Sequence, residues 1–372
     1  MARIARCRFG DSAHHRLKIR TNHFRNCVRA VAAVCTYRNG DWGIGSGVIR
    51  FSHIFLAVVV SAATLVSAHA QAPKPQPSLW MSPSGREKGK AFRELFERPD
   101  DWKDTRAMVD VLFCTDLSFP RDGFTDAELT KWFAQAKEWN LKFAMEVGAI
   151  KEWGKKGAEC FAKEEKNWER LQKLGANIYA VAMDEPLVCT REHIHESDEY
   201  AVEETANYIA EVRKHYPAML VGDIEAYPST SVEEHEHWIE TLNKRLADKG
   251  VRGLDFYRLD VDWLRFEAQG KGSWKDLRRL EIWCRQHKLP FHLIYWASGY
   301  PAASHRGLAD DSTWYTAIMQ QGYDYALIDG KPDAYVIESW IDAPSQCLPD
   351  SAEWTFTRSV RDFARKFVKR GD

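Results

Sequence analysis

Acidic residues close one apolar run after another along this chain. Asp116 follows the run 109–114, Glu146 ends 141–147, and Asp184-Glu185-Pro186 follows 177–183. Asp223 and Glu225 come at the end of 218–224, Asp260 and Asp262 after 254–259, and Glu338 inside 334–339. Aromatic residues accompany them: Trp80, Tyr227, Trp263, Tyr295, Trp296 and Trp340. An ionised carboxyl is costly to desolvate, so acids recurring at one edge of apolar segments point to use rather than to chance burial. Converging carboxyls push one another's pKa apart, which lets one serve as an acid while its neighbour stays a base. Flat rings offer apolar faces to sugars, and carboxyls accept hydrogen bonds from their hydroxyls. The pattern predicts a site for an oligo- or polysaccharide.

Such a ring of side chains needs strands that end at a common edge. Eight strand-length apolar runs occur, at 79–81, 109–114, 141–147, 177–183, 218–224, 254–259, 291–296 and 334–339. Helical patterns separate them. Thr125 and Glu128 form a capping box at the head of one. Others are expected over 197–216, over 232–249 before Gly250, and over 273–287 before Pro290. Strands alternating with helices make a parallel α/β sheet, and eight units in about 300 residues fit a single-domain (β/α)8 barrel. An open doubly wound sheet is the alternative, and it would carry a Gly-rich phosphate loop that is missing here. In a (β/α)8 barrel the active site lies at the C-terminal ends of the strands, where these acids and rings fall.

Charge and hydropathy divide the chain at residue 70. The segment 1–70 holds ten Lys/Arg against two acids, which leaves 71–372 with 42 basic and 51 acidic residues, a net charge of −9. A fold that acidic argues against nucleic acid or an anionic membrane as partner, since both demand clustered positive charge. Within the leader, Arg50 precedes an uncharged apolar stretch too short for a bilayer span, which ends Ala68-His69-Ala70. This reads as a signal peptide cleaved after Ala70, giving a secreted or periplasmic protein with no stable membrane insertion. Residues 1–47 fit no part of a signal peptide, and Val48 is a plausible true start. Export also means an oxidising compartment, and a disulfide between Cys160 and Cys189 is expected, as both follow neighbouring strands on one face.

The strand-four segment Ala180-Val181-Ala182-Met183-Asp184-Glu185-Pro186 resembles the Asn-Glu-Pro signature of retaining TIM-barrel glycoside hydrolases. The resemblance implies that Glu185 is the acid/base. Asp184 stands where those enzymes have Asn, and strand seven lacks the Glu that supplies their nucleophile. The second carboxyl must therefore come from Glu338, Asp223 or Glu225. Trp80, Asp116, Glu146, Asp184, Tyr227, Asp260, Asp262, Trp263, Tyr295, Trp296 and Trp340 are the expected substrate-binding residues, with no cofactor and no metal.

Plainer roles compete with these. Asp184 and Glu185 could simply favour a helix start with Pro186 at its first position. Glu146 could pair with Lys142 or Lys151, and Asp260 and Asp262 with Arg258 and Arg265 in solvent. His193, His195, His235 and His237 read as surface residues, because i and i+2 do not share a helix face. Two other functions remain open. One is a divalent-metal sugar isomerase or epimerase with Glu146, Glu185, Asp223 and Asp260 as ligands; the other is a non-catalytic carbohydrate-binding barrel.

Overall fold

The computed structural model describes residues 76–115, 123–262, 270–297 and 310–368. The leader and its cleavage point after Ala70 lie outside the described residues, and so do Asp116 and Trp263. The eight strands are β1 Ser78–Ser82, β2 Val111–Thr115, β3 Lys142–Val147, β4 Ile178–Asp184, β5 Leu220–Tyr227, β6 Phe256–Val261, β7 Phe291–Tyr295 and β8 Ala334–Glu338. Each pairs in parallel with the next, and β8 pairs with β1, so the sheet closes into the expected (β/α)8 barrel.

Ten α-helices lie among the described residues: α1 Arg86–Glu97, α2 Lys103–Arg106, α3 Asp126–Glu138, α4 Gly157–Lys173, α5 Pro186–Cys189, α6 Asp198–His215, α7 Val232–Asp248, α8 Trp274–Gln286, α9 Asp311–Leu327 and α10 Phe356–Phe367. Their starts follow local chemistry. Thr125 caps α3 and Ser231 caps α7, each in a reciprocal box with the glutamate three residues on. Gly250, at φ +69°, turns the chain out of α7.

Parity along each strand decides what reaches the site. Odd and even residues of a strand face opposite sides, and two separate apolar clusters mark the sides here. Trp80, Val111, Phe113, Ala144, Ala182, Ile224, Phe256, Ile294 and Val336 fill the barrel interior. Leu79, Leu112, Met145, Met183, Leu259, Leu293 and Ile337 pack outward against the helices. Gly222 belongs to the inner set, where a Cβ would fall 2.0 Å from the Phe256 ring. The expected disulfide does not form: Cys160 and Cys189 are both buried free thiols, and Cys160 Sγ donates to the Gly154 carbonyl at 2.6 Å. No helix of the described residues is long and apolar enough to cross a membrane.

Candidate functional site

Inner-face parity carries Glu146, Asp184, Asp260 and Glu338 to the C-terminal mouth, where β3, β4, β6 and β8 end. Glu185 joins them from just past β4. Its backbone is left-handed (φ 50°, ψ 50°), a conformation that costs a non-glycine residue about 1–2 kcal/mol. Neighbouring contacts hold it there. Its N–H donates to the Ile224 carbonyl at 2.9 Å, and its own carbonyl accepts from Cys189 N at 2.8 Å. Pro186 follows as the first residue of α5, with its φ preset for a helix.

Charge accumulates in this ring faster than cations offset it. Burial and then the Asp184 carboxylate push Glu185 up to about 7. Burial also lifts Glu338 to about 7, against the pull of Arg258 and Ser82. Glu146 is held well above the carboxylate range by burial, Asp184 and Glu338, and Asp260 likewise by burial, Glu185 and Glu338. Glu146, Glu185, Asp260 and Glu338 are thus each perturbed by other acids of the ring, with the Asp184 charge acting on all four, so the ring forms one electrostatic unit. Lys151, just beyond β3, places Nζ 2.7 Å from Asp184 Oδ2. Burial opposes its charge, but Asp184 outweighs that and keeps the ammonium above the ordinary lysine value.

Two tryptophans flank the acids. The rings of Trp296 and Trp340 lie 4.2 Å apart between centroids, and Trp340 stays 39% exposed at the rim. Trp296 stands beside Asp260, while Trp340 is two residues from Glu338. A cleft of about 40 Å³ is lined by Ser82, Phe92, Phe124, Glu338 and Trp340. That is room for about one water.

Several expected site residues lie elsewhere. Strand β5 runs to Tyr227, three residues beyond the predicted end, and its inner residues are Leu220, Gly222, Ile224 and Ala226. Asp223, Glu225 and Tyr227 therefore point outward. Asp223 Oδ2 accepts from Trp238 Nε1 of α7 at 2.6 Å. Glu225 accepts from the N–H groups of Leu187 (2.6 Å) and Val188 (3.3 Å). Tyr227 Oη lies 3.1 Å from Asp276 Oδ2 and accepts from Ser273 N. Tyr295 is outward too, stacked on Tyr335 and against Phe363 of α10. Trp80 faces inward but is buried in the barrel core among Phe113, Tyr179, Phe256 and His292. It cannot meet a sugar. Asp262, half-buried just past β6, donates its N–H to the Tyr227 carbonyl.

The proposed metal cage fails on the same parity, because Asp223 lies on the other side of the sheet from Glu146 and Asp260. Among the described residues no group of three or more His, Cys, Asp or Glu is placed to hold a metal ion. His235 is not a surface residue: it is buried in the helix layer, with Nδ1 2.6 Å from Tyr257 Oη, and burial lowers it to about 3. The sequence offers Lys151 only a structural pairing with Glu146, and Arg258 only a solvent-facing one with Asp260 and Asp262; Lys151 pairs with Asp184 instead, and Arg258 is buried. A basic residue inside the apolar strand Phe256–Val261 was the available signal for Arg258.

No protein-family model matches the chain, and neither does any curated protein compared with it. Solved structures resemble it weakly. A psychrophilic glycoside hydrolase family 10 endo-beta-1,4-xylanase is 12% identical over 77% of this chain and 96% of its own, with a TM-score of 0.46. A xylanase 10C from Cellvibrio japonicus is 12% identical over 79% and 68%, at 0.44. Deoxyribose phosphate aldolase from Aeropyrum pernix is also 12% identical, over 77% and 89%, at 0.41. These neighbours differ in chemistry, so no activity follows from them.

Proposed function

We propose that this protein is an exported glycoside hydrolase, secreted or periplasmic, that cleaves an oligo- or polysaccharide by carboxyl acid/base catalysis. The observation that carries the proposal is Glu185. It comes just past the end of β4 with its pKa at about 7, so a large fraction is protonated at neutral pH beside other carboxyls. Protonating a glycosidic oxygen requires such a group. Glu338 supplies the opposing carboxylate, either as base toward a water in its cleft or as nucleophile. Trp296 and Trp340 offer their faces to a sugar ring. The net charge of −9 after residue 70 favours a neutral or cationic glycan.

Incubating the purified protein with a panel of polysaccharides, with and without a chelator, tests this. Release of reducing ends unaffected by the chelator is expected; binding without cleavage would indicate a sugar-binding barrel instead. NMR of the first-formed anomer then separates retention from inversion.

Two further outcomes are expected. The acid limb of kcat/KM reports Glu338, which must be ionised, and the alkaline limb reports Glu185, which must be protonated. With both at about 7, the profile should be a narrow bell centred near neutrality. Trp340→Ala should raise KM about 2–10-fold with kcat little changed, the loss of one ring contact worth about 0.5–1.5 kcal/mol made equally in ground and transition states. Steady-state kinetics on one oligosaccharide checks both.

A further inference from the structure

Helix α9 turns Trp314, Ala317, Ile318, Gly322 and Tyr325 into the layer between helices and barrel, with Gln321 fully enclosed among them. The Oε1 of Gln321 is buried without a partner. A buried amide is costly to desolvate, and one left half-paired is less stable there than a leucine of similar size. Stability alone gives no reason for glutamine at this position. Its other end reaches the candidate site: Nε2 donates to the main-chain carbonyl of Trp296 at 2.5 Å.

That carbonyl lies where the sheet stops holding the chain. The pairing of β7 with β8 ends at Tyr295 and Ile337, so Trp296 is the first residue past the ladder. Beyond it, a residue's main-chain direction is set by whatever else bonds its polar groups. Gln321 supplies such a bond, and it fixes the peptide plane that follows the Cα carrying the indole. The ring is half-buried, resting on the barrel interior and tilted 40° against Trp340 at 4.2 Å between centroids. Trp340 is held in a similar way from α1, its carbonyl accepting from Arg86 Nε at 3.0 Å. The two holds differ in wetness. The Arg86 side chain is 54% exposed, so water can take its place, whereas Gln321 is sealed from solvent.

We propose that Gln321 is a positioning residue: from the helix layer it clamps the main chain of Trp296 and so holds that ring at the angle to Trp340 at which the pair receives a sugar. The sugar rests on the hydrolase reading; the clamp on the ring pair does not.

Two indoles this close and this tilted couple their electronic transitions, which gives an exciton couplet in the far-ultraviolet circular dichroism of the whole protein. Subtracting the Trp340→Phe spectrum isolates it. Gln321→Leu should fold and lose most of the couplet, while Arg86→Ala, which removes the exposed hold, should keep it. Affinity reads the same clamp. On one oligosaccharide, Gln321→Leu should raise KM about 2–10-fold, the size of one lost ring contact, with kcat little changed. In a Trp296→Ala background the same substitution should change KM less than about twofold, because a residue that acts through the ring has nothing left to act on. A glutamine with a structural role only would be additive with Trp296→Ala and would leave the couplet intact. A full couplet in folded Gln321→Leu, no couplet in the unaltered protein, or an undiminished KM effect in the Trp296→Ala background overturns the proposal. A couplet that falls in Gln321→Leu upholds the clamp even if no oligosaccharide binds, in which case the hydrolase reading alone falls. Should Gln321→Leu fail to fold, Gln321→Asn decides in its place: it keeps the amide but is a methylene too short to reach the carbonyl, so the couplet must fall there too.

Discussion

Glu185→Gln should slow cleavage of the natural glycan about 10²–10⁴-fold, the usual contribution of a general acid, and leave the melting temperature unchanged. The second half of that expectation comes from the backbone. What fixes residue 185 is its N–H on Ile224, its carbonyl under Cys189 N, and Pro186 behind it; none of these involves the side chain. Glutamine keeps the size and hydrogen-bonding capacity of the protonated acid and removes only the proton it can transfer. The loss should therefore track the leaving group. A substrate whose leaving group departs without protonation should be affected far less than the glycan itself. Turnover within a few-fold of the unaltered protein would dismiss Glu185 and send the search to Asp260 and Glu338. Asp223 and Glu225 would not inherit the role, since neither faces the mouth.

The eightfold rhythm was legible because strand-length apolar runs and capped helical patterns differ in length and period, and both survive in a single sequence. All eight runs became strands, and the barrel closed as expected. The edge-on position of Glu146, Asp184, Glu185, Asp260 and Glu338 was legible for the same reason. What could not be read was which side of the sheet a residue faces. In an antiparallel sheet, one wet face leaves an alternation that marks the sides. A parallel barrel is covered on both faces, so its strands are apolar throughout and the alternation is erased. Strand β5 shows the result: in Leu-Val-Gly-Asp-Ile-Glu-Ala-Tyr both acids are fully buried, yet on the helix side.

Aromatic residues misled for a related reason. Tryptophan is used here both as core filler and at the rim, and composition does not separate the uses. Trp80 and Trp296 each end up among interior residues, but Trp80 is mid-strand under Arg258 whereas Trp296 comes after β7 has ended. Depth along the barrel axis decides the matter. It is fixed by strand register, a property of pairs of strands that no single run displays.

Glu225→Ala offers the sharpest separation of the two faces, with an expected loss of about 2–4 kcal/mol in stability. The carboxyl of Glu225 is fully buried and receives the N–H groups of Leu187 and Val188, two of the orphan donors at the start of the segment that carries Glu185 into α5. Deleting it leaves both donors dry, at about 1–3 kcal/mol for each unpaired buried group. Burial and then Asp223 push this carboxyl above its ordinary range, with the two N–H groups opposing. Glutamine keeps the shape and one of the two acceptors: its carbonyl can accept from Leu187 N–H, but its amide nitrogen cannot accept from Val188 N–H. Glu225→Gln should consequently lose less stability than Glu225→Ala, about 1–3 kcal/mol for the one donor left unpaired, and retain most of its turnover. Urea denaturation monitored through tryptophan fluorescence, with rates measured on the same samples, tests both variants. A Glu225→Gln protein that folds normally but loses activity as Glu185→Gln does would place Glu225 in the chemistry and overturn its assignment as a brace behind the acid.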